Sequence, residues 1–136
     1  FNCNHDCLLA DLPGYGYAKI SKQDRKLWDV LIDSYLSDRA NLRLVLLLID
    51  SRHDLKDIDR DMMAYLDSRA VPYLPVLTKT DKSKKNQIDS LKATLGDRLR
   101  GHPAALEHIM SVSAHSRSGI DELQQFVNSF VLNSGV

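Results

Sequence analysis

Apolar residues along the chain follow two periods that alternate. Continuous runs at Leu44 to Ile49, Tyr73 to Leu77 and Ile109 to Val112, and the cluster of Leu8, Leu9 and Leu12 around Asp11, each end in a polar residue or a turn. Short apolar runs without polar alternation predict strands covered on both faces, the pattern of parallel sheets. Between them the spacing becomes helical. Leu27, Trp28, Leu31, Ile32, Tyr35 and Leu36 form a first stripe, with Ser21 and Asp24 resembling a capping box that uses a shorter acid. Leu55, Ile58, Met62 and Leu66 form a second, Ile88, Leu91, Leu95 and Leu99 a third, and Ile120, Leu123, Val127 and Phe130 or Val131 a fourth. The alternation predicts a doubly wound, mainly parallel α/β sheet in a single domain spanning residues 1–136. Ligands are then expected in the loops at the carboxyl ends of the strands.

Composition narrows the class without identifying it. With 136 residues and 43% hydrophobic content the chain can bury a real core. Eighteen basic residues balance eighteen acidic ones, so no overall field draws the chain to nucleic acid or a membrane. The longest apolar run is too short to span a bilayer, and the N-terminal stretch lacks a signal-peptide layout, which predicts a cytoplasmic protein with no membrane partner. Cys3 and Cys7 suggest no disulfide framework. Read as one straight strand, Cys3, His5 and Cys7 would reach about 13 Å end to end, a poor fit to a tetrahedral metal site. Trp28 and Tyr35 lie in the helical stripe, as core residues do. The first residue is Phe1 rather than Met, which suggests that the natural chain starts further upstream.

The candidate chemistry sits at the predicted strand ends. Asp11, Leu12, Pro13 and Gly14 place a carboxylate three residues before a glycine; Asp11 could reach a magnesium ion through a water while the Gly14 N–H approaches a terminal phosphate. A plain proline-glycine turn is the alternative. Thr78, Lys79, Thr80 and Asp81 follow the third strand. The Asp81 carboxylate can accept from the N1–H and exocyclic amine of guanine, a pair of donors that adenine lacks. Lys79 would lay its aliphatic stem along the base. The alternative is a solvated turn capping the next helix. After the fourth strand, Val112, Ser113 and Ala114 form a small-residue loop in which the Ala114 N–H could donate to the guanine carbonyl. His53 follows the second strand, where it could touch a ligand or simply be solvated. Residues 78–100 carry seven basic and three acidic side chains. They form either a surface for nucleic acid or a solvated helix start.

The run Asp11-Leu12-Pro13-Gly14-Tyr15-Gly16-Tyr17-Ala18-Lys19 resembles the extended signature of the EngB/YihA/YsxC GTP-binding proteins, a branch of the Ras-like P-loop superfamily. The resemblance continues through Trp28, Ile49-Asp50-Ser51-Arg52-His53, Pro72-Tyr73-Leu74, Thr78-Lys79-Thr80-Asp81 and Gly119-Ile120-Asp121-Glu122-Leu123. It implies a monomeric protein that binds GTP or GDP with magnesium, hydrolyses GTP slowly and helps assemble the large ribosomal subunit, with a link to septation. By the same resemblance Asp11 and Gly14 take the magnesium and γ-phosphate positions, with Leu12, Pro13 and Tyr15 alongside. Thr78, Lys79, Thr80 and Asp81 read the base, and Val112, Ser113 and Ala114 close over it. Tyr15 stands where Ras-like enzymes place a water-orienting glutamine, so no catalytic base is assigned. The 136 residues contain no G-x-x-x-x-G-K-[ST] run, and the switch threonine is missing too. The expectation is therefore a Ras-like fold without its first strand and phosphate-binding loop, with weak GTP binding by this chain. Direct pairing of the strands on either side of that gap is expected, or else a marginally folded, aggregation-prone chain. The alternative function is a nucleotide-independent interaction module that keeps the fold and the ribosome-facing surface.

Overall fold

The computed structural model describes residues 2–3, 7–10, 22–37 and 42–133. They belong to two compact units, residues 1–42 and 43–136, each described by itself.

In the first unit, β1 (Asn2–Cys3) pairs antiparallel with β2 (Cys7–Leu8), with Cys3 opposite Cys7. This differs from the single extended strand expected through both cysteines. Helix α1 (Lys22–Ser37) has the predicted period. Its buried face is narrower than the predicted stripe: Ile32 and Leu36 are buried, while Leu27 and Leu31 are 63% and 61% exposed. Ser21 and the side chains of Asp24 and Trp28 lie outside what is described.

The second unit is a three-stranded parallel sheet of order β3-β4-β5, with β3 at Val45–Asp50, β4 at Tyr73–Thr78 and β5 at Met110–Ser111. Helices α2 (Asp57–Ser68), α3 (Lys85–Leu99) and α4 (Ile120–Asn133) complete the alternation. The register sets Val45 against Tyr73 and Asp50 against Thr78, so β3 and β4 end together. On one sheet face Leu74, Val76 and Val112 form a buried cluster against which Ile120, Leu123 and Phe126 of α4 pack. Leu47, Ile49, Tyr73, Pro75 and Leu77, alternating with them, are fully buried. The β4 strand is thus covered on both faces, as its apolar run predicts. Coverage of β3 is incomplete, because Leu48 remains 54% exposed.

Two other differences have local causes. The buried residues of α2 are Asp59, Met63 and Leu66, one position out of phase with the predicted Ile58 and Met62. Asp59 turns inward because its carboxylate accepts the Lys56 N–H at 3.0 Å at the helix start, satisfying one of the orphan donors there. Strand β5 is two residues long where a run of four was predicted. Tyr73 and Leu77 bond to the β5 side, through Ala104, Leu106 and Val112, and Pro75 between them has no N–H to offer. Across that gap three steps on β4, from Tyr73 to Val76, face five on the partner, from Ala105 to Met110. The partner strand detours where the proline cannot donate.

Candidate functional site

Three loops emerge at the carboxyl ends of β3, β4 and β5. Thr78 closes β4, and its hydroxyl donates to the Ile49 carbonyl at 3.4 Å while its own carbonyl accepts the Ser51 N–H at 3.0 Å. Lys79 follows in the left-handed region, φ 56° and ψ 38°, which a residue with a Cβ seldom adopts. That turn leads into a single 3-10 turn, Thr80–Lys82, which carries Asp81. Val112 ties the two loops together: its N–H donates to the Leu77 carbonyl at 2.8 Å, and its carbonyl accepts the Thr80 N–H at 3.3 Å.

Asp81 and Ser113, 32 residues apart in sequence, meet here. The Ser113 hydroxyl donates to Asp81 Oδ1 at 2.7 Å and accepts the Ser116 N–H at 3.1 Å. With Ser113 only 1% exposed, this bond holds the carboxylate through a buried side chain, while Oδ2 lies 4.0 Å from Lys82 Nζ. The Ser113 hydroxyl holds the Asp81 carboxyl below the usual carboxylate range, with Lys82 and His115 adding attraction. Asp81 therefore stays an anion able to accept further hydrogen bonds. It does not cap α3, whose N-cap is Lys84, so the plain capping turn considered from sequence is not the arrangement found.

The closing loop is held by its backbone. Ser113 N–H donates to the Ser118 carbonyl at 2.9 Å, and Arg117 and Gly119 both have positive φ, 62° and 76°. A Cβ on Gly119 would lie 2.0 Å from the Ser111 carbonyl oxygen, so only glycine lets α4 start this close to β5. Ala114 sits exposed at the loop's tip. Thr78, Lys79, Thr80, Asp81, Val112, Ser113 and Ala114 are thus brought to one end of the sheet. Asp11, Leu12, Pro13, Gly14 and Tyr15 lie outside the described residues. His53 is exposed, and its N–H donates to the Asp50 carbonyl at 3.4 Å.

Sequence motifs missed the support around these residues. Asp50, at the end of β3, accepts from the Arg52 N–H at 3.0 Å and from its guanidinium at 3.0, 3.1 and 2.7 Å. Lys79 Nζ is 3.5 Å from Asp50 Oδ2. The Arg52 guanidinium holds the Asp50 carboxyl well below the usual carboxylate range. Buried Ser51 shares a hydrogen bond with Ser83, their Oγ atoms 3.1 Å apart, which anchors the Asp81 turn to the β3 loop. Polar residues just past strand ends were the available signal, but their pairing depends on register.

Comparison with solved structures defines the class. Elongation factor SelB from Methanococcus maripaludis, in its apo form, matches with a TM-score of 0.68 at 24% identity, over 78% of this chain and 24% of that one. The same factor in complex with the GTP analogue GPPNHP matches with a TM-score of 0.64 at 26% identity, over 77% of this chain and 23% of that one. The fold is that of the Ras-like P-loop GTPases. A family profile described as 50S ribosome-binding GTPase matches residues 1–79. Probable GTP-binding protein EngB of Rhizobium etli is 44% identical over 119 residues, 88% of this chain and 55% of that protein. The protein of the same name from Afipia carboxidovorans is 45% identical over 116 residues, 85% and 52%. That from Desulfotalea psychrophila is 38% identical over 131 residues, 96% and 66%. The chain belongs to the 50S ribosome-binding GTPase family, in its EngB branch. It spans about half the length of the first two of these relatives. Among the described residues no helix is long and apolar enough to cross a membrane.

Proposed function

We propose that the loops at 78–83 and 112–118 form the guanine-recognition half of a GTP-binding site. The observation that carries this reading is the Asp81 carboxylate, held by buried Ser113 at the shared end of two parallel strands. Fixed from one side, Asp81 presents its remaining acceptor positions to the N1–H and exocyclic amine of guanine. The Ala114 N–H donates to the guanine carbonyl oxygen, and the stem of Lys79 lies along the base. Membership of the EngB branch supports the same assignment, as does the likeness to a factor solved with a GTP analogue.

The whole protein then acts as a cytoplasmic, monomeric GTPase in assembly of the large ribosomal subunit, with a link to septation. Magnesium enters this reading through Asp11, which would hold it by way of a water and let it neutralise phosphate charge. Asp11 lies outside the described residues, and base recognition at Asp81 does not depend on it.

Weak binding is expected of the 136-residue chain, so amide-resolved NMR titration suits it. GDP should shift the amides of Asp81 and Ala114 at lower concentration than ATP. Asp81→Asn should weaken GDP by on the order of 1–3 kcal/mol, because an amide sets a donor against a donor. Equal response to GDP and ATP in the unmutated chain would contradict the assignment. No response to either would favour an interaction module that does not use nucleotide.

A further inference from the structure

We infer that Asp50 is the positioning residue for Lys79, fixing its ammonium at the edge of the base site; the inference rests on the reading of that site given above. The in-register ending of β3 and β4 brings the two residues together, since Asp50 lies opposite Thr78 and Lys79 comes next. Lys79 occupies the left-handed region, a local cost that persists only where surrounding structure holds it. Its Nζ reaches Asp50 Oδ2 at 3.5 Å.

Asp50 is itself immobilised. Arg52 Nε and N–H both donate to Oδ1, and Nε and Nη2 both donate to Oδ2. The fork leaves the carboxylate one orientation, in which Oδ2 is shared between Arg52 and Lys79. The loop carrying Arg52 is tied in turn to α3, because Gln87 Nε2 donates to the Arg52 carbonyl at 3.2 Å. A long, flexible lysine side chain loses rotamer freedom when it packs along a base. An anion already fixed beside its ammonium removes part of that loss before the nucleotide arrives.

The test is a double-mutant cycle read by GDP titration of the 136-residue chain, with ATP as control. Asp50→Asn and Lys79→Ala should each weaken GDP by about threefold, the scale of an exposed ion pair. The double variant should bind no more weakly than Lys79→Ala alone, because Asp50 acts only through Lys79. An unchanged GDP affinity in Asp50→Asn, or losses that multiply in the double variant, would overturn the role. If Asp50→Asn loses its dispersed amide spectrum, Arg52→Gln replaces it in the cycle. That variant should weaken GDP when Lys79 is present and be silent in Lys79→Ala, and a loss independent of Lys79 counts against the inference. Guanine preference abolished by Asp81→Asn but untouched through Asp50 refutes the positioning role alone. Equal GDP and ATP binding, indifferent to Asp81→Asn, removes the base site and this inference with it.

Discussion

Helices α1 and α3 are nearly equal in length, 16 and 15 residues, and both carry apolar residues at helical spacing. In α3 the stripe is used: Leu91 and Leu95 are buried, Leu95 completely. Among the described side chains of α1, Ile32 and Leu36 are buried, while Leu27, Val30 and Leu31 lie exposed. Periodicity therefore specifies that a helix forms and which side is apolar, because both follow from local geometry. How much of that side is covered depends on what packs on it, which local spacing does not encode. The same lesson holds for β3 and β4, whose apolar runs look alike although only β4 is covered throughout.

The contrast is broken or upheld most strongly at Leu95. Leu95→Ala should destabilise the chain by about 2–5 kcal/mol through lost burial and the cavity left behind. Leu31→Ala should change stability by no more than about 0.5 kcal/mol, as at other exposed positions. Urea denaturation of both variants measures the difference, and equal costs would show that the α1 face is buried after all. Gly119→Ala comes next, at about 3 kcal/mol, since it adds both a positive-φ penalty and a collision with the Ser111 carbonyl. It should show that the β5 end of the site is as intolerant as the core, and an unchanged urea midpoint would contradict the close approach described.

A smaller effect of opposite sign is expected at Tyr73. Its side chain is fully buried and its hydroxyl has no hydrogen-bond partner among the described residues. Tyr73→Phe should therefore stabilise the chain by about 1 kcal/mol. Burial pushes the Tyr73 hydroxyl above the usual tyrosine range, and the Asp67 carboxylate adds to the shift. A raised folded value means that the unfolded chain loses this proton first. The corresponding stability is present below the ordinary tyrosine range and is lost as pH rises above it, at about pH 10. Tyr73→Phe should blunt that alkaline loss in thermal melts across pH, and a lower melting temperature at neutral pH would show that the hydroxyl has a partner.

Much of this architecture was legible from sequence for definite reasons. The β3 and β4 runs and α3 were placed correctly because continuous apolar strands and amphipathic stripes are local signals. Asp81 and Ser113 were legible because both stand just past strand ends, where parallel sheets gather their ligand loops. The Ser113 bond to Asp81 and the Lys79 contact with Asp50 were not, since each joins residues at the ends of different strands and depends on register. In α2 the predicted Leu66 is buried, but Asp59 and Met63 are buried where Ile58 and Met62 were expected, because a core-facing aspartate, bonded to the helix start, looks polar in a pattern. The shortness of β5 was hidden in Pro75, on the neighbouring strand rather than on β5 itself.

If the Asp81 carboxylate reads guanine through matched donors, base preference must follow the group that faces it. Xanthine replaces the exocyclic amine of guanine with a carbonyl, so the amide of Asp81→Asn would donate where the carboxylate accepts. Titration of the unmutated and Asp81→Asn chains with GDP and xanthosine diphosphate, followed through the amide of Ala114, tests this directly. GDP should be preferred by the unmutated chain and xanthosine diphosphate by the variant. The same order of preference in both chains would contradict it.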